Sequence, residues 1–184
     1  MRIIAGKWRG RRLSAPKGKR TRPTSDRTRE ALFSILGDFV HGATVLDLFG
    51  GTGSLGLESL SRGAAHATFV EKDRTAATVL SENVQLAPSE KYRILTLPAQ
   101  KALQLLEREA ISLNLVFLDP PYHQNLLQPS FTTLLESGMV KTNGIVVCEH
   151  FSKDIPPTPS GPWCLTETRT FGEASISFFE VPDT

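Results

Sequence analysis

From Thr44 to Val181 short apolar runs alternate with stretches of helical periodicity, and no other feature restricts the fold of this 184-residue chain as strongly. Thr44 to Leu48, His66 to Glu71, Tyr92 to Leu97, Leu113 to Leu118 and Gly144 to Cys148 each have the length and apolar character of a buried strand. A Gly-rich turn and a helix stopped by Gly63 follow the first run. Asp73 caps a helix after the second, and Pro88 ends it. A third helix reaches about Arg108, and a fourth carries Leu127, Phe131, Leu134 and Leu135 inward. Strand–helix repetition of this kind joins neighbouring strands by crossovers, which makes them parallel and buries both faces of the sheet. Trp163 to Phe171 and Ser175 to Val181, turned at Gly172-Glu173, read as a closing hairpin. The expected fold is α/β: a doubly wound, mainly parallel, seven-stranded sheet with a C-terminal antiparallel hairpin. Ligands of such sheets bind at the carboxyl ends of the strands, near the point where strand order reverses.

Ahead of this unit, residues 2 to 13 form a candidate β-hairpin extension with turns at Gly6 and Gly10. Lys17-Gly18-Lys19-Arg20 reads as an exposed basic loop. Ser25 is placed to cap a helix with Asp26 in its first turn, and Ala31, Leu32, Ile35, Leu36 and Phe39 share one face of it. Two regions follow: a basic extension over 1–24 and an α/β domain over 25–184.

The turn after the first strand contains G-x-G-x-x-G at Gly51, Gly53 and Gly56, and Glu71 ends the next strand twenty residues after Gly51. That spacing fits a dinucleotide fingerprint, and the lack of a following Lys-Ser/Thr excludes a P-loop. Asp47, ending the first strand, argues against a pyrophosphate, which it would repel. It suits a ligand carrying an amino group or sulfonium. S-adenosylmethionine has both, and a ribose whose hydroxyls can donate to Glu71. Phe49, Gly50, Gly51, Gly53 and Lys72 complete the candidate cofactor site, with Gln100, or Lys101 beside it, toward the adenine. A purely structural strand–turn–helix with a capping Asp is the bland alternative.

Asp119-Pro120-Pro121-Tyr122 follows the fourth strand. Two prolines end the strand and fix the backbone after it. The turn then offers one carboxylate, one carbonyl and one ring, a set suited to gripping a planar base by its exocyclic amine. A proline-rich turn without that role has the same letters. The residues form a candidate catalytic set of Asp119, Pro120, Pro121 and Tyr122.

Charge separates the ends of the chain. Residues 1–30 carry eleven Lys+Arg against two Asp+Glu, and residues 31–184 carry ten against seventeen. A basic arm on an acidic body is the electrostatic footprint of a nucleic-acid binder, or else a solvated tail. Trp8, Arg9, Arg11, Arg12, Lys17, Lys19, Arg20, Arg22 and Arg27 are the candidate RNA contacts; Trp8 either stacks or packs, and Arg22 and Arg27, with Thr24, adjoin the first helix near the site. No apolar run reaches eighteen residues and no signal core opens the chain, so a cytoplasmic location without membrane contact is expected. Cys148 and Cys164 lie far apart, and no Cys/His spacing suggests a metal. Of four histidines only His123 adjoins the Asp-Pro-Pro-Tyr turn, where it is read as a bystander.

Asp47-Leu48-Phe49-Gly50-Gly51-Thr52-Gly53 with Glu71 and Asp119-Pro120-Pro121-Tyr122 resembles the class I S-adenosylmethionine-dependent amino-methyltransferases. Arg2-Ile3-Ile4-Ala5-Gly6-Lys7-Trp8-Arg9-Gly10-Arg11-Arg12-Leu13, then Arg22-Pro23-Thr24-Ser25-Asp26-Arg27-Thr28-Arg29-Glu30, is similar to the RsmD-type 16S ribosomal RNA guanine-N2 methyltransferases. The resemblance implies a Rossmann-like fold and methylation of the exocyclic N2 of guanine 966, on an assembled small ribosomal subunit. It implies S-adenosylhomocysteine as product; the sequence itself shows no metal pattern and makes no obligate protein partner evident. The alternatives are an amino-methyltransferase of DNA adenine or protein glutamine, and an RNA-binding assembly factor without catalysis.

Overall fold

A computed structural model describes residues 1–16 and 25–181. Lys17, Lys19, Arg20, Arg22 and Thr24 lie outside the described residues. The elements in order are α1 (Asp26–Leu36), β1 (Thr44–Asp47), α2 (Ser54–Ser61), β2 (His66–Val70), α3 (Arg74–Asn83), β3 (Tyr92–Leu95), α4 (Ala99–Arg108), β4 (Leu113–Leu118), α5 (Leu127–Glu136), β5 (Val140–Phe151), β6 (Cys164–Phe171) and β7 (Ala174–Glu180). Local chemistry sets several of these bounds. Ser25 accepts the Thr28 N–H at 3.0 Å and Asp73 accepts the Ala76 N–H at 2.9 Å, so both expected N-caps form.

The seven strands form one sheet in the order β3-β2-β1-β4-β5-β7-β6. β3, β2, β1, β4 and β5 are parallel, and β7 enters antiparallel between β5 and β6. The sheet is Rossmann-like and doubly wound. Leu32, Phe33, Leu57, Leu60 and Leu80 from α1, α2 and α3 bury one face. Ala102, Leu103, Leu106, Phe131 and Leu134 from α4 and α5 bury the other. Strand order reverses between β1 and β4, the switch point at which such sheets bind ligands.

Three expectations need correction. The N-terminal hairpin is hairpin-shaped but has no strands; a single antiparallel bridge joins Arg2 and Arg12. The buried face of α1 is Thr28, Arg29, Leu32, Phe33 and Leu36, while Ile35 is exposed. Arg29 takes an inward position where its Nη2 donates to the Arg2 carbonyl and to Asp26, while its Nε and Nη1 are buried without a hydrogen-bond partner among the described residues. The fifth strand runs from Val140 to Phe151, well past Cys148 at its carboxyl end. Pairing with β7 from Val146 to Phe151 sustains the added length.

Among the described residues, no helix is long and apolar enough to cross a membrane. Among the same residues, no group of three or more His, Cys, Asp or Glu is placed to hold a metal. Cys148 is buried, and burial pushes its thiol well up; Cys164 is exposed.

Candidate active site

The first half of the site is the turn from β1 into α2. Asp47 is 1% exposed and its Oδ2 accepts the Gly56 N–H at 3.2 Å. Burial pushes its carboxyl up to about 7; the Gly56 N–H pulls it down, and the Glu71 charge pushes it further up. Glu71, just past β2, closes over the same turn. Its Oε2 accepts the Gly51 N–H at 3.0 Å and its Oε1 the Asp73 N–H at 2.8 Å. The glycines divide their labour. Gly53 has φ +82°, and a Cβ there would stand 2.5 Å from Leu80 Cδ1. A Cβ on Gly56 would stand 2.2 Å from the Phe69 ring, so this glycine lets α2 lie tight on the sheet. A Cβ on Gly51 would meet nothing nearer than the Phe49 carbonyl at 3.9 Å, which leaves its backbone open to a ligand.

Phe49 and Glu71 are half-buried and Lys72 is exposed. Gln100 lies half-buried in the first turn of α4, and Lys101 beside it is exposed. Both stand at the carboxyl end of β3, two strands from β1.

The second half follows β4. Asp119 is half-buried, Pro120 buried, Pro121 exposed and Tyr122 half-buried. The pairing of Asp47 with Phe117 places Asp119 two residues beyond Asp47 on the adjacent strand, roughly 8 Å away from strand spacing and rise. Both carboxylates therefore border one space at the switch point. On the other side, Leu118 pairs with Cys148, so Asp119 comes beside Glu149. Glu149 is 9% exposed, and its Oε1 accepts the Tyr122 hydroxyl at 3.1 Å. The Tyr122 ring lies 6.0 Å from Phe151 and 6.4 Å from His123, and His123 lies 5.8 Å from Phe151. His123, read from sequence as a bystander, belongs to this aromatic group.

Sequence reasoning missed Glu149 and Phe151 because it ended the fifth strand at Cys148. A signal was available. Charged Glu149 alternates with Cys148 in the run Cys148-Glu149-His150, which is what a strand with one functional face looks like at its carboxyl end.

The arm is stitched to the back of the cofactor turn. Glu58 in α2 is fully buried and accepts the Ile4 N–H at 2.8 Å, the Ala5 N–H at 3.0 Å and Arg62 Nε at 2.8 Å. Asn83 donates to the Ser14 carbonyl at 3.0 Å and to the Thr52 carbonyl at 2.9 Å, tying arm and Gly-rich turn together. Trp8 is partly buried against the core, so it packs. Arg9, Arg11, Arg12 and Arg27 are exposed.

A family model described as "Conserved hypothetical protein 95" matches residues 1–180. The chain belongs to this family. The Haemophilus influenzae protein named "Ribosomal RNA small subunit methyltransferase D" is 38% identical over 184 residues, covering 98% of this chain and 93% of the relative. The Escherichia coli K12 protein of the same name is 34% identical over 180 residues, covering 98% and 89%. A solved Escherichia coli chain, the proposed methyltransferase yhhF, superposes with a TM-score of 0.85 at 34% identity over 99% of both chains. Family membership agrees with the sequence resemblance, and the strand order agrees with the expected sheet.

Proposed function

We propose that this chain transfers a methyl group from S-adenosylmethionine to the exocyclic N2 of a guanine in 16S ribosomal RNA of the small ribosomal subunit, position 966 by resemblance. The observation that carries the reading is the placement of Asp47 and Asp119 at neighbouring strand ends. One faces a cationic donor, the other an amine acceptor. The names of the relatives supply the RNA substrate, and the exposed arginines of the arm agree with it.

The residues fit a cationic nucleoside. Asp47 is a buried carboxylate that a ligand ammonium or sulfonium would hold ionised. Gly51 and Gly53 let that ligand approach the backbone, Phe49 and Gly50 flank it, and Glu71 accepts ribose hydroxyls with Lys72 outside it. Gln100 offers a donor and an acceptor to the adenine edge. When bound, S-adenosylmethionine supplies a methyl group made electrophilic by its sulfonium.

The guanine amine is a poor nucleophile because its lone pair is conjugated with the ring. Asp119 and the Pro120 carbonyl accept its two N–H groups and aim the nitrogen at the methyl. Pro121 keeps the turn rigid. Such alignment is worth of order ~7 kcal/mol at the lower end of measured effective molarities. Tyr122 stacks on the base, worth ~1–3 kcal/mol. The base must first leave its stack to reach the turn. The amine proton lost after transfer passes to Asp119 or to solvent. Arg9, Arg11, Arg12 and Arg27, with Lys17, Lys19, Arg20 and Arg22, contact phosphate, so residues 1–24 act as an RNA-binding extension of a catalytic domain over 25–184 in the cytoplasm.

The test is to incubate the protein with unmodified small subunits and S-adenosylmethionine and to map the methylated nucleotide by mass spectrometry. One N2-methylguanine in 16S RNA is expected. Methyl label found only in DNA or protein substrates offered in parallel would overturn the reading.

A further inference from the structure

Gripping an exocyclic amine does not distinguish guanine from other amine-bearing bases. Asp119 and the Pro120 carbonyl would accept the amine of adenine or 2-aminopurine as readily. Guanine differs at the next atom: its N1 carries a hydrogen beside the N2 amine, whereas N1 of adenine and of 2-aminopurine is a bare acceptor. A second acceptor next to the first would select guanine at this edge.

The structure has one. Glu149 follows the Leu118–Cys148 pair on β5 as Asp119 follows it on β4, so the two residues stand side by side on strands whose backbones are about 4.8 Å apart. Register-paired residues of parallel strands point to the same face. Accordingly Asp119 and Glu149 line one small cavity with Leu32, Phe117, Val147 and Ile176. Tyr122, which stacks on the base in the proposed reaction, holds Glu149 through its hydroxyl at 3.1 Å. A carboxylate has about four acceptor positions and accepts several donors at once. Phe151 and His123 pack against the Tyr122 ring.

The geometry points to Glu149 as the guanine-selecting residue: its carboxylate accepts N1–H while Asp119 accepts N2–H. This inference rests on the proposed guanine-N2 reaction. Adenine or 2-aminopurine in the same pose would press a lone pair against the Glu149 carboxylate. Sites built to bond a substrate N–H reject analogues that lack it far more strongly than apolar pockets reject a missing methylene.

The test uses small subunits reconstituted with 16S RNA carrying either guanine or 2-aminopurine at the mapped nucleotide. Both bases have the C2 amine, and only guanine has N1–H. Wild type should favour guanine in kcat/KM by ~10- to 100-fold, the range of a hydrogen bond to a charged group. Glu149→Gln can donate its amide to the bare N1, so the preference should fall at least about tenfold. A Glu149 that merely holds Tyr122 would make Glu149→Gln behave like Tyr122→Phe, lowering both substrates alike and leaving the ratio unmoved; that result overturns the inference. Should Glu149→Gln fail to melt cooperatively or to bind S-adenosylmethionine in calorimetry, the wild-type ratio decides alone, and equal rates on the two RNAs reject the role. If wild type leaves the guanine RNA unmethylated, the guanine-N2 reading itself fails and this inference with it. A methylated guanine with an unchanged ratio sinks only the role of Glu149.

Discussion

The two halves of the site lie at adjacent strand ends, yet they are built in opposite ways. The cofactor turn is closed on itself. Glu71 bonds the Gly51 and Asp73 N–H groups, Asp47 bonds the Gly56 N–H, and glycines remove every side chain that would crowd the helix. The base turn is held by rigid and strained backbone, with two prolines and then His123 at φ 62° and Asn125 at φ 50°, both in the left-handed region. Its candidate working groups are side chains: the half-buried Asp119 carboxylate and the cluster of Tyr122, His123 and Phe151 rings. The contrast separates two tasks. In the proposed reaction a ligand common to every turnover would meet prearranged backbone, and a base arriving in a large RNA would meet side chains.

The contrast breaks hardest at Asp119. Asp119→Ala removes the acceptor that orients the amine in the proposed reaction and leaves the glycines, Asp47 and Glu71 in place. Methylation should fall at least about a thousandfold, as for loss of an orienting acid–base group and its alignment. S-adenosylmethionine affinity by calorimetry should stay within about twofold. A loss of affinity comparable to the loss of rate would show the two turns to be one unit.

Asp47→Asn attacks the other half and carries a pH signature. Asp47 is raised from its ordinary 3.8 to about 7 in the ligand-free chain. A carboxyl raised by folding keeps its proton in the folded chain while the unfolded chain loses it. Its contribution to stability is therefore whole below about pH 4 and lost as pH rises through about 7. The uncharged amide removes that loss. Thermal melts of ligand-free Asp47→Asn should gain on wild type steadily from pH 4 to pH 8. Cofactor affinity should move the other way, falling by about 10- to 100-fold at pH 8, the worth of a hydrogen-bonded charge. Binding to wild type near pH 6 should release a proton, measurable as a buffer-dependent heat. A pH-independent stability difference would remove the proposed burden on Asp47.

Glu71→Gln acts on the same turn more gently. The amide has one acceptor oxygen where the carboxylate bonded both Gly51 and Asp73. Loss of one such bond costs roughly 1 kcal/mol or somewhat more, so affinity should drop about tenfold, with the rate at saturating cofactor nearly unchanged. A fall in that rate instead would place Glu71 in the chemistry of the base turn.

These side chains were legible in the sequence because strand ends announce themselves. Asp47, Glu71 and Asp119 each follow an apolar run, and the prolines and glycines mark the turns. What was illegible depended on partners remote in sequence. Pairing with β7 carries β5 to Phe151 and brings Glu149 into the site, and no local pattern encodes that pairing. Arg29 sits on the buried face of α1 and Ile35 does not, and the Arg2 carbonyl that Arg29 meets is twenty-seven residues away in the chain. Glu58 looks like an ordinary helix carboxylate, and its actual partners are the backbone N–H groups of Ile4 and Ala5, which no side-chain alphabet reveals.

Tyr122→Phe is the finest probe of the contrast. The ring proposed to stack on the base remains, with its contacts to Phe151 and His123, and the 3.1 Å bond to Glu149 is lost. A net hydrogen bond of this kind is worth ~0.5–1.5 kcal/mol, or up to about 3 kcal/mol to a charged group. Tyr122 is half-buried, which favours the lower end. The variant should therefore lose about three- to tenfold in kcat/KM for RNA, bind S-adenosylmethionine as wild type does, and melt within about 2 °C of it. A side-chain bond in the base turn can loosen without disturbing the cofactor turn only if the latter is held by its own backbone donors. Weakened cofactor binding in Tyr122→Phe would mean that the order of the Gly-rich turn is borrowed from the base side.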